Sequence, residues 1–390
     1  GRINLVKMAA EGKITLDEIS GPIELCLGCR ACERVCPTNV QYGKMLESAK
    51  AAIQKERKAK MSPFRKFAQD VIFKNVFPNE KVMDAIGNLL WVYQKSGIKK
   101  IIHSKPFDYM FPKNLTLFDK GLTEAKTPFK TSRVYKSEVK HHQPIFKIAF
   151  FTGCIMEAIF QRINQLSIKL LEQAGCEVTV VKNQTCCGAL HAHSGEEKIA
   201  KTLAKQNIEA FEKGEFDYVV NNAGGCGAML KEYVDLFRDE PDWMKRAEKF
   251  SEKSVDISVV LSQLHLPLVK SVESRVTYQP SCHMMNVQKV TKAPVKLILS
   301  VKGIEYIPLS NHEFCCGSAG IYNVVHFQES MDILDIKMAD VKETRADLIV
   351  TTNPGCLLQM KAGIEKEGLS GQMKALHLVE LLAEACGIED

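Results

Sequence analysis

The clustered cysteines are the residues of this chain whose types and spacing could do chemistry. Cys26, Cys29, Cys32 and Cys36 follow the spacing C-x2-C-x2-C-x3-C-P in the stretch CLGCRACERVCP. A tight turn with a thiolate at every third residue can place three sulfurs around three corners of a cubane, and this spacing is typical of 4Fe-4S binding. Structural zinc is the weaker alternative, because zinc usually takes two separate cysteine pairs. We therefore predict a site that passes single electrons.

The fourth cysteine of such a ferredoxin-type run serves a second cluster in two-cluster ferredoxins. The sequence contains one run, so its first three cysteines lack a fourth partner nearby and Cys36 lacks its companions. Because the chain begins with Gly1 rather than Met, a second run upstream would complete both ligand sets. Residues 1–13 would then form the helix that joins the two runs.

Eight further cysteines fall into two sets with the same layout. A single cysteine opens each set, a Cys-Cys-Gly triplet follows, and a Gly-Cys pair closes it. The first set is Cys154, Cys186, Cys187 and Cys226, and the second is Cys282, Cys315, Cys316 and Cys356. Corresponding intervals in the two sets differ by one residue, and a repeat this regular indicates an internal duplication. Cys176 and Cys386 belong to neither set, and we expect them to pack as small hydrophobic residues in the core.

The segments around these cysteines predict the elements that position them. In each half, strands precede the single cysteine, the triplet and the Gly-Cys pair, and helices connect the strands. The predicted strand segments lie in 146–155, 176–183 and 216–230, and again in 274–285, 304–310 and 346–360. Alternating strands and helices indicate a parallel sheet, and ligands of such sheets gather beyond the carboxyl ends of the strands. We therefore expect each set to converge into one four-thiol site at a sheet edge.

Glycine and histidine residues beside the thiols refine this prediction. Gly188 and Gly317 follow the two cysteine pairs, where a loop must let a bulky cluster approach the backbone. His191, His193 and His283 lie close to the cysteines in sequence and could donate hydrogen bonds to cluster sulfur or act in the chemistry. Surface exposure or ordinary packing is the alternative for these histidines.

Composition and periodicity divide the chain into four segments. We predict part of a helical ferredoxin-type domain over 1–50, a helical spacer and linker over 51–145, and two repeated parallel α/β Cys-Cys-Gly domains over 146–265 and 266–390. The fold class is thus a small helical iron–sulfur segment followed by two α/β domains.

The spacer is expected to be helical in its first half. Apolar periodicity predicts helices over 44–60 and 79–97, and Ser62 before Pro63 marks the start of another. Their Phe and Trp side chains are expected in a core, with a quinone-side or subunit-docking face as the alternative. Residues 104–146 are irregular and are expected to form a surface linker.

The charge balance excludes some classes of partner. A net charge of +6, from 52 basic and 46 acidic residues, is too mild to indicate nucleic-acid binding. The basic stretch IQKERKAK at 53–60 is expected to be a solvated helix face, with a contact to a partner or to anionic lipid as the alternative. Neither a membrane-spanning run nor a secretory signal is present, so we expect a cytoplasmic protein, peripheral on the membrane at most.

Four phrases of the sequence resemble a known family. The stretches CCGALHAHSGE, NNAGGCGAMLKEY, EFCCGSAGIYN and TTNPGCLLQ are similar to those of glycolate oxidase iron–sulfur subunits. These are related to the Cys-Cys-Gly subunit of heterodisulfide reductase and to the anaerobic glycerol-3-phosphate dehydrogenase iron–sulfur subunit. The resemblance implies that flavin-containing subunits oxidise glycolate to glyoxylate and that electrons cross this chain's 4Fe-4S clusters toward a membrane quinone or another carrier.

The sequence departs from the heterodisulfide reductase pattern at the end of each set. Those motifs end in C-x-x-C and supply five cysteines to a non-cubane cluster, whereas GGCGAM and PGCLLQ contribute one cysteine each. Four thiols per site leave a cubane, a non-cubane 4Fe-4S cluster and zinc as alternatives.

Two alternative functions accompany the leading one. The chain could be a heterodisulfide reductase-like subunit whose Cys-Cys-Gly clusters reduce a disulfide, or the iron–sulfur subunit of a lactate or glycerol-3-phosphate dehydrogenase. No G-x-G-x-x-G follows a predicted strand, so nothing in the sequence indicates a nicotinamide or flavin site in this chain. The substrate therefore rests on resemblance alone.

Overall fold

The computed structural model describes residues 1–102, Asp119 and residues 143–388. Apart from Asp119 and residues 143–146, the linker predicted over 104–146 lies outside the described residues. The ferredoxin-type segment is helical, as expected, and packs around its own small core of apolar side chains. Its helices are α1 (Arg2–Ala10), α2 (Leu16–Glu24), α3 (Ala31–Arg34) and α4 (Tyr42–Lys60). That core contains Ile19, Ile23, Tyr42, Leu46, Ala49 and Ile53.

The spacer continues as a series of helices. They are α5 (Pro63–Val71), a π-helical turn (Ile72–Val76), α6 (Glu80–Lys95) and α7 (Ile98–Ile102). Ser62 and Pro63 open α5 as predicted, and the Asn79 side chain caps α6 by accepting from the amides of Lys81 and Val82. None of the helices in the described part of the chain combines the length and apolar composition that crossing a bilayer requires.

The expectation that the spacer's phenylalanines lie in a core is wrong for two of them. Phe73 is buried, but Phe64 is 80% exposed and Phe67 is 68% exposed. The reason is the orientation of the helices, because the face that bears Phe73 packs against the first α/β unit and the side chains of Phe64 and Phe67 project into solvent. Periodicity identified the helix but could not identify which of its apolar side chains would be covered.

Two four-stranded parallel sheets form the rest of the chain. The first has the strand order β2-β1-β3-β4 and the second the order β6-β5-β7-β8. The strands are β1 (Lys147–Phe150), β2 (Glu177–Val180), β3 (Tyr218–Asn221), β4 (Ser254–Asp256), β5 (Ser274–Gln279), β6 (Ile304–Tyr306), β7 (Leu348–Thr351) and β8 (Lys374–His377). The strand order reverses between β1 and β3, and between β5 and β7, and this is where parallel sheets bind ligands.

Helices cover both sheets. Those of the first unit are α8 (Cys154–Ile159), α9 (Gln161–Gln173), α10 (Ala189–His193), α11 (Glu197–Phe211), α12 (Gly224–Leu236), α13 (Pro241–Lys253) and α14 (Ile257–Leu261). Those of the second are α15 (Cys282–Asn286), α16 (Lys292–Ser300), α17 (Tyr322–Val325), α18 (Phe327–Thr344), α19 (Pro354–Lys366) and α20 (Leu378–Ala385). One core of buried apolar side chains runs through both sheets, including Ile148, Val220, Val276 and Ile349. Cys176 and Cys386 lie in it, as expected.

The sequence predicted three strands per unit, and the structure adds a fourth to each. Strands β4 and β8 pair in parallel with β3 and β7 at the sheet edges. Each runs directly into a helix, β4 into α14 at Ile257 and β8 into α20 at Leu378, so no turn residue separates the strand from the helix in the sequence. The α/β class of both units is confirmed.

A buried carboxylate at the end of β4 predicts a pH-dependent stability. The Asp256 side chain accepts hydrogen bonds from the Ser258 amide at 2.8 Å and hydroxyl at 2.6 Å, but its second oxygen is buried without a partner. Burial raises the pKa of Asp256 to about 6. A pKa raised in the folded state stabilises the fold fully at low pH, and this contribution is lost as the pH rises through that value.

Asp256→Asn keeps the cap acceptor and removes the charge. We expect the free energy of unfolding of the wild-type chain to fall relative to the variant by about 2 kcal/mol between pH 4 and pH 7, since each pKa unit is worth about 1.4 kcal/mol and part of the difference lies below pH 4. Urea unfolding of both proteins across this pH range measures the difference. Parallel pH profiles of the two proteins would contradict the prediction.

Candidate metal centres

The structure brings the first cysteine set together beyond the carboxyl ends of β1, β2 and β3. Cys154 opens a helix after β1, and its Sγ lies 3.3 Å from the Sγ of Cys186. Cys187 contacts both Cys186 and Cys226. Cys226 lies in the first turn of α12. Helix N-termini favour negative charge, which suits thiolates that act as ligands.

The four thiols of this site cannot all ionise without a positive partner. Contact with Cys186 and Cys226 holds the pKa of Cys187 well below that of an ordinary thiol. Contact with Cys154 and Cys187 raises the pKa of Cys186 well above it, and contact with Cys187 does the same for Cys226. Four converging sulfurs therefore need the positive charge of bound metal to become thiolates together, which is the donor set that iron–sulfur clusters use.

Local hydrogen bonds and one left-handed glycine fix the conformation of the Cys-Cys-Gly loop of the first site. Gly188 has a φ of +86°, and its N–H donates to the Sγ of Cys186 over an N···S distance of 3.5 Å. Asn207 holds the loop from α11, because its side chain accepts from the Thr185 amide at 2.8 Å and donates to the Cys186 carbonyl at 3.1 Å. The Tyr233 hydroxyl donates to the Cys187 carbonyl at 2.9 Å. Sequence reasoning missed both of these loop-holding side chains, which stand in ordinary helical patterns.

The second set converges in the same way beyond β5, β6 and β7. Cys315 contacts Cys282 and Cys316, and Cys316 contacts Cys356. All eight thiols therefore lie where the repeat predicts. Contact with Cys315 raises the pKa of Cys282 well above its ordinary value. Ser330 holds the loop, since its hydroxyl donates to the Gly317 carbonyl at 3.0 Å.

Asn353 joins the two sites and was missed by sequence reasoning. Its side-chain oxygen accepts from the Gly225 amide at 2.9 Å, beside Cys226 of the first site. Its side-chain nitrogen lies 3.6 Å from the Sγ of Cys356 in the second site. The corresponding position in the first half of the repeat is Ala223. The neighbouring positions also differ between the two halves, with Asn221 and Asn222 opposite Thr351 and Thr352, so the repeat does not single out Asn353.

Asn353→Asp separates the two contacts of this bridge. The carboxylate still accepts from the Gly225 amide but cannot donate to the Cys356 sulfur, and it adds a negative charge there. Hydrogen bonds to sulfur set cluster potentials, so we expect the reduction potential of the second site to fall by about 60 mV or more, equivalent to one hydrogen bond to a charged group. A redox titration followed by electron paramagnetic resonance measures this. The control is Asn75→Asp, an exposed change of the same charge in the spacer; an equal shift in both variants would contradict the prediction.

The ferredoxin-type run forms a compact loop around α3. Gly28 and Arg30 adopt left-handed backbone conformations, with φ of 65° and 62°. The Tyr42 hydroxyl lies 3.6 Å from the Sγ of Cys26. Burial raises the pKa of Cys29, whereas a hydroxyl contact with Thr38 lowers the pKa of Cys36. The Val40 amide also donates to the Cys36 Sγ, at 3.4 Å.

This loop packs directly on the second thiol site. The Asn286 side chain donates to the Cys29 carbonyl at 2.7 Å, from the helix that Cys282 opens. Arg34 reaches the same helix, with its guanidinium 3.7 Å from the Sδ of Met285. Arg30 bonds Glu232 of α12 at 2.7 Å and so ties the loop to the first unit as well. The ferredoxin-type run and both thiol sites thus form one contiguous group.

The three predicted histidines take different positions. His283 Nδ1 lies 3.6 Å from the Sγ of Cys282, and burial lowers its pKa to about 3, so the ring is neutral. His191 is buried but bonds the Phe73 carbonyl in the spacer at 2.8 Å. His193 packs on His283, with ring centroids 5.3 Å apart. The two rings line a cavity of about 310 Å³ together with Cys26. Only His283 contacts a thiol of the two sets.

The spacer covers the first thiol site. The Thr185 hydroxyl donates to the Pro78 carbonyl at 3.0 Å, and Phe77, Pro78 and Met83 line a small space with Cys154 and Cys186. We call residues 72–83 the cover. This contact separates the first site from solvent on the side of the spacer.

Within each set, every thiol contacts the next cysteine of that set along the chain. Within the described residues, no group of three or more His, Cys, Asp or Glu side chains is arranged around a single metal ion.

Comparison with known proteins decides the family. Family models match the cysteine-rich domain at 148–231 and 276–361, the linker region of the glycolate oxidase iron–sulfur subunit at 64–122, and the 4Fe-4S binding domain at 23–42. A probable glycolate oxidase iron-sulfur subunit of Bacillus subtilis is 44% identical over 99% of this chain and 88% of that protein. The chain belongs to the glycolate oxidase iron–sulfur subunit family.

Relatives named for lactate utilization match a shorter part of the chain. Lactate utilization protein A of Oceanobacillus iheyensis is 37% identical over 60% of this chain and 96% of that protein, and its Bacillus licheniformis counterpart is 35% identical over 60% and 98%. Members of the glycolate oxidase iron–sulfur subunit family are subunits of oxidoreductases, and the domain matches establish 4Fe-4S clusters as the cofactor type of this chain.

Proposed function

We propose that this chain carries electrons from a flavin-containing dehydrogenase subunit toward a quinone or another acceptor. The flavin-containing subunit would oxidise glycolate, or another 2-hydroxy acid, to the corresponding 2-oxo acid. Bound iron–sulfur clusters supply one-electron chemistry, which divides the electron pair that a flavin delivers. The four cysteines of the ferredoxin-type run and the two four-thiol sets hold them.

The contiguity of the three cysteine groups carries this proposal. The loop at Cys29 packs on the helix of Cys282, and Asn353 connects Cys356 with the peptide before Cys226. These contacts favour an order in which electrons enter at the ferredoxin-type run, cross the second site and reach the first. The residues of the chain hold the sulfurs, exclude water through the cover and tune the sites by hydrogen bonds.

The substrate assignment rests on the comparisons. The similarity to the probable glycolate oxidase subunit of Bacillus subtilis and the linker match at 64–122 favour glycolate. The lactate utilization relatives keep other 2-hydroxy acids open. The four segments 1–50, 51–145, 146–265 and 266–390 are proposed as the domains that share this work.

A reconstituted complex tests the proposal. The chain is purified anaerobically with its flavin-containing partners, and iron, sulfide and zinc are counted. Rapid mixing with glycolate should reduce the ferredoxin-type site first and the first thiol site last, as followed by electron paramagnetic resonance. The proposal fails if the partner subunits reduce an acceptor equally fast without this chain. Zinc with no iron beyond the ferredoxin-type clusters would instead favour a structural role for the thiol sites.

The same preparation distinguishes the heterodisulfide reductase-like alternative. The cavity beside Cys26 and His283 is the place where a small disulfide could approach the second site. If the chain reduces disulfides, adding one to the reduced protein should give a paramagnetic cluster–thiyl signal. Absence of that signal would exclude this alternative.

A further inference from the structure

Helix α5 exposes an apolar surface that the cysteine chemistry does not use. Phe64 is 80% exposed and Phe67 is 68% exposed, and they lie three residues apart on the same side of the helix. Ile72 continues the exposed apolar residues into the π-helical turn at 45% exposure. Single exposed apolar side chains are normal, whereas adjacent exposed aromatic rings mark an interaction site. We call Phe64, Phe67 and Ile72 the phenylalanine face.

Unbalanced positive charge surrounds the phenylalanine face. Arg65 and Lys66 are exposed, and neither forms an ion pair with any residue in the described parts of the chain. Residues 60–74 contain four cations and one carboxylate, Asp70, and Lys60 pairs with Glu56 just before this segment, so Arg65 and Lys66 supply the unbalanced charge. Lys74 is 54% exposed and pairs with Asp70 at 2.8 Å. The surface is therefore apolar and basic at once, which is the composition of helices that lie in the plane of a membrane interface.

We propose that the phenylalanine face docks the chain on a bilayer that contains anionic lipid. The rings would insert at the level of the headgroups while Arg65 and Lys66 remain among the lipid phosphates. Charge complementarity favours this occupant, because anionic headgroups attract each nearby cation and a neutral protein surface does not. No membrane-spanning segment is required.

The opposite side of the same segment fits this role. Phe73 is buried there, and its carbonyl bonds His191, four residues after Cys187 of the first site. The segment that would lie on the membrane therefore also covers the thiol site at the proposed end of the electron path. The role of the docking in electron transfer rests on the proposed function. Docking would bring the first thiol site, at the end of the proposed electron path, close to a lipid-soluble quinone. The docking itself involves no electron transfer.

Vesicle flotation of the complete chain tests the proposal without substrate or redox partners. The probes are vesicles of phosphatidylcholine alone and of phosphatidylcholine mixed with phosphatidylglycerol. The wild-type chain should float with the mixed vesicles, less so at high salt. Phe64→Ser with Phe67→Ser should weaken partitioning about tenfold or more. Arg65→Glu with Lys66→Glu should weaken it about tenfold on mixed vesicles at low salt.

A matched control keeps the test specific. Leu299 and Ile336 are 60% and 57% exposed on the second unit, so Leu299→Ser with Ile336→Ser removes similar apolar exposure elsewhere and should leave flotation unchanged. Circular dichroism and iron content confirm that each variant is folded and loaded. Equal flotation of the phenylalanine variant and the wild type, or no flotation of the wild type, overturns the proposal. Loss of association with the flavin subunits, with flotation intact, would assign the face to a protein partner and overturn it too.

The outcome is independent of the proposed function. If the chain floats but glycolate does not reduce it through the partner subunits, the proposed function fails and the docking stands. If glycolate reduces it but flotation is absent, the reverse holds.

Discussion

Cys282→Ser is expected to interrupt electron flow between the ferredoxin-type run and the first thiol site. Cys282 contacts Cys315 within the second site and opens the helix that packs on the Cys29 loop. Serine keeps the volume but is a poor ligand for iron, so the second site should lose its metal. We expect about a hundredfold or greater loss of electron delivery to an acceptor, because changes merely outside a metal's ligands already cost about 10- to 100-fold.

The measurement combines metal counting with single-turnover reduction. Iron and sulfide should fall by the content of one site, while the signal of the ferredoxin-type run remains. Cys386→Ser is the control, because that thiol is buried in the core and belongs to neither set. It should lower stability without lowering the iron content. Full iron content and an unchanged rate in Cys282→Ser would remove the second site from the path.

Gly317→Ala is expected to destabilise the second site through the backbone alone. Gly317 has a φ of +91°, and a Cβ there would lie 2.7 Å from the Ser330 carbonyl oxygen. That oxygen belongs to a helix backbone and cannot turn away. A strained backbone of this kind costs about 1–3 kcal/mol before the steric contact is added. Thermal unfolding and iron retention on warming should both shift to lower temperature.

Two other glycines calibrate this prediction. At Gly371 an added methyl group would meet no atom within 4 Å, and the backbone is not left-handed, so Gly371→Ala should change the free energy of unfolding by less than about 0.5 kcal/mol. Gly188 is the repeat counterpart of Gly317, but its closest neighbour would be the Cα of Ala200 at 3.3 Å. Gly188→Ala should therefore cost less than Gly317→Ala. A reversed order would show that the strain lies elsewhere in these loops.

The repeat made the positions of the two thiol sets predictable. A cysteine that follows a strand in each of three parallel strands must lie at one sheet edge, because parallel strands end on the same side. The fold class and the grouping of Cys154, Cys186, Cys187 and Cys226 followed from that rule. The role of the glycine after each cysteine pair was also predictable, since the tight loop needs a residue with a left-handed backbone conformation.

Contacts between units were not predictable from the sequence. Asn353 looks like a residue before a proline-led helix, and nothing local shows that its amide would meet Gly225. The packing of the Cys29 loop on Asn286 joins residues that are 257 positions apart. Phe64 and Phe67 are exposed because a different face of the helical segment packs on the first α/β unit. Helical periodicity does not determine which face that is.

The cover has a consequence for how the protein matures. Residues 72–83 close over Cys154 and Cys186 through the Thr185–Pro78 and His191–Phe73 hydrogen bonds. From the side of the spacer, iron and sulfide can therefore reach the first site only before these bonds form, or while they are open. The cover precedes the thiols in the chain, so it is synthesised first and can close only after the first site has been synthesised. We expect the assembly machinery of the cell to load the first site at this stage, and the closing of the cover to act as the final, locking step of biogenesis.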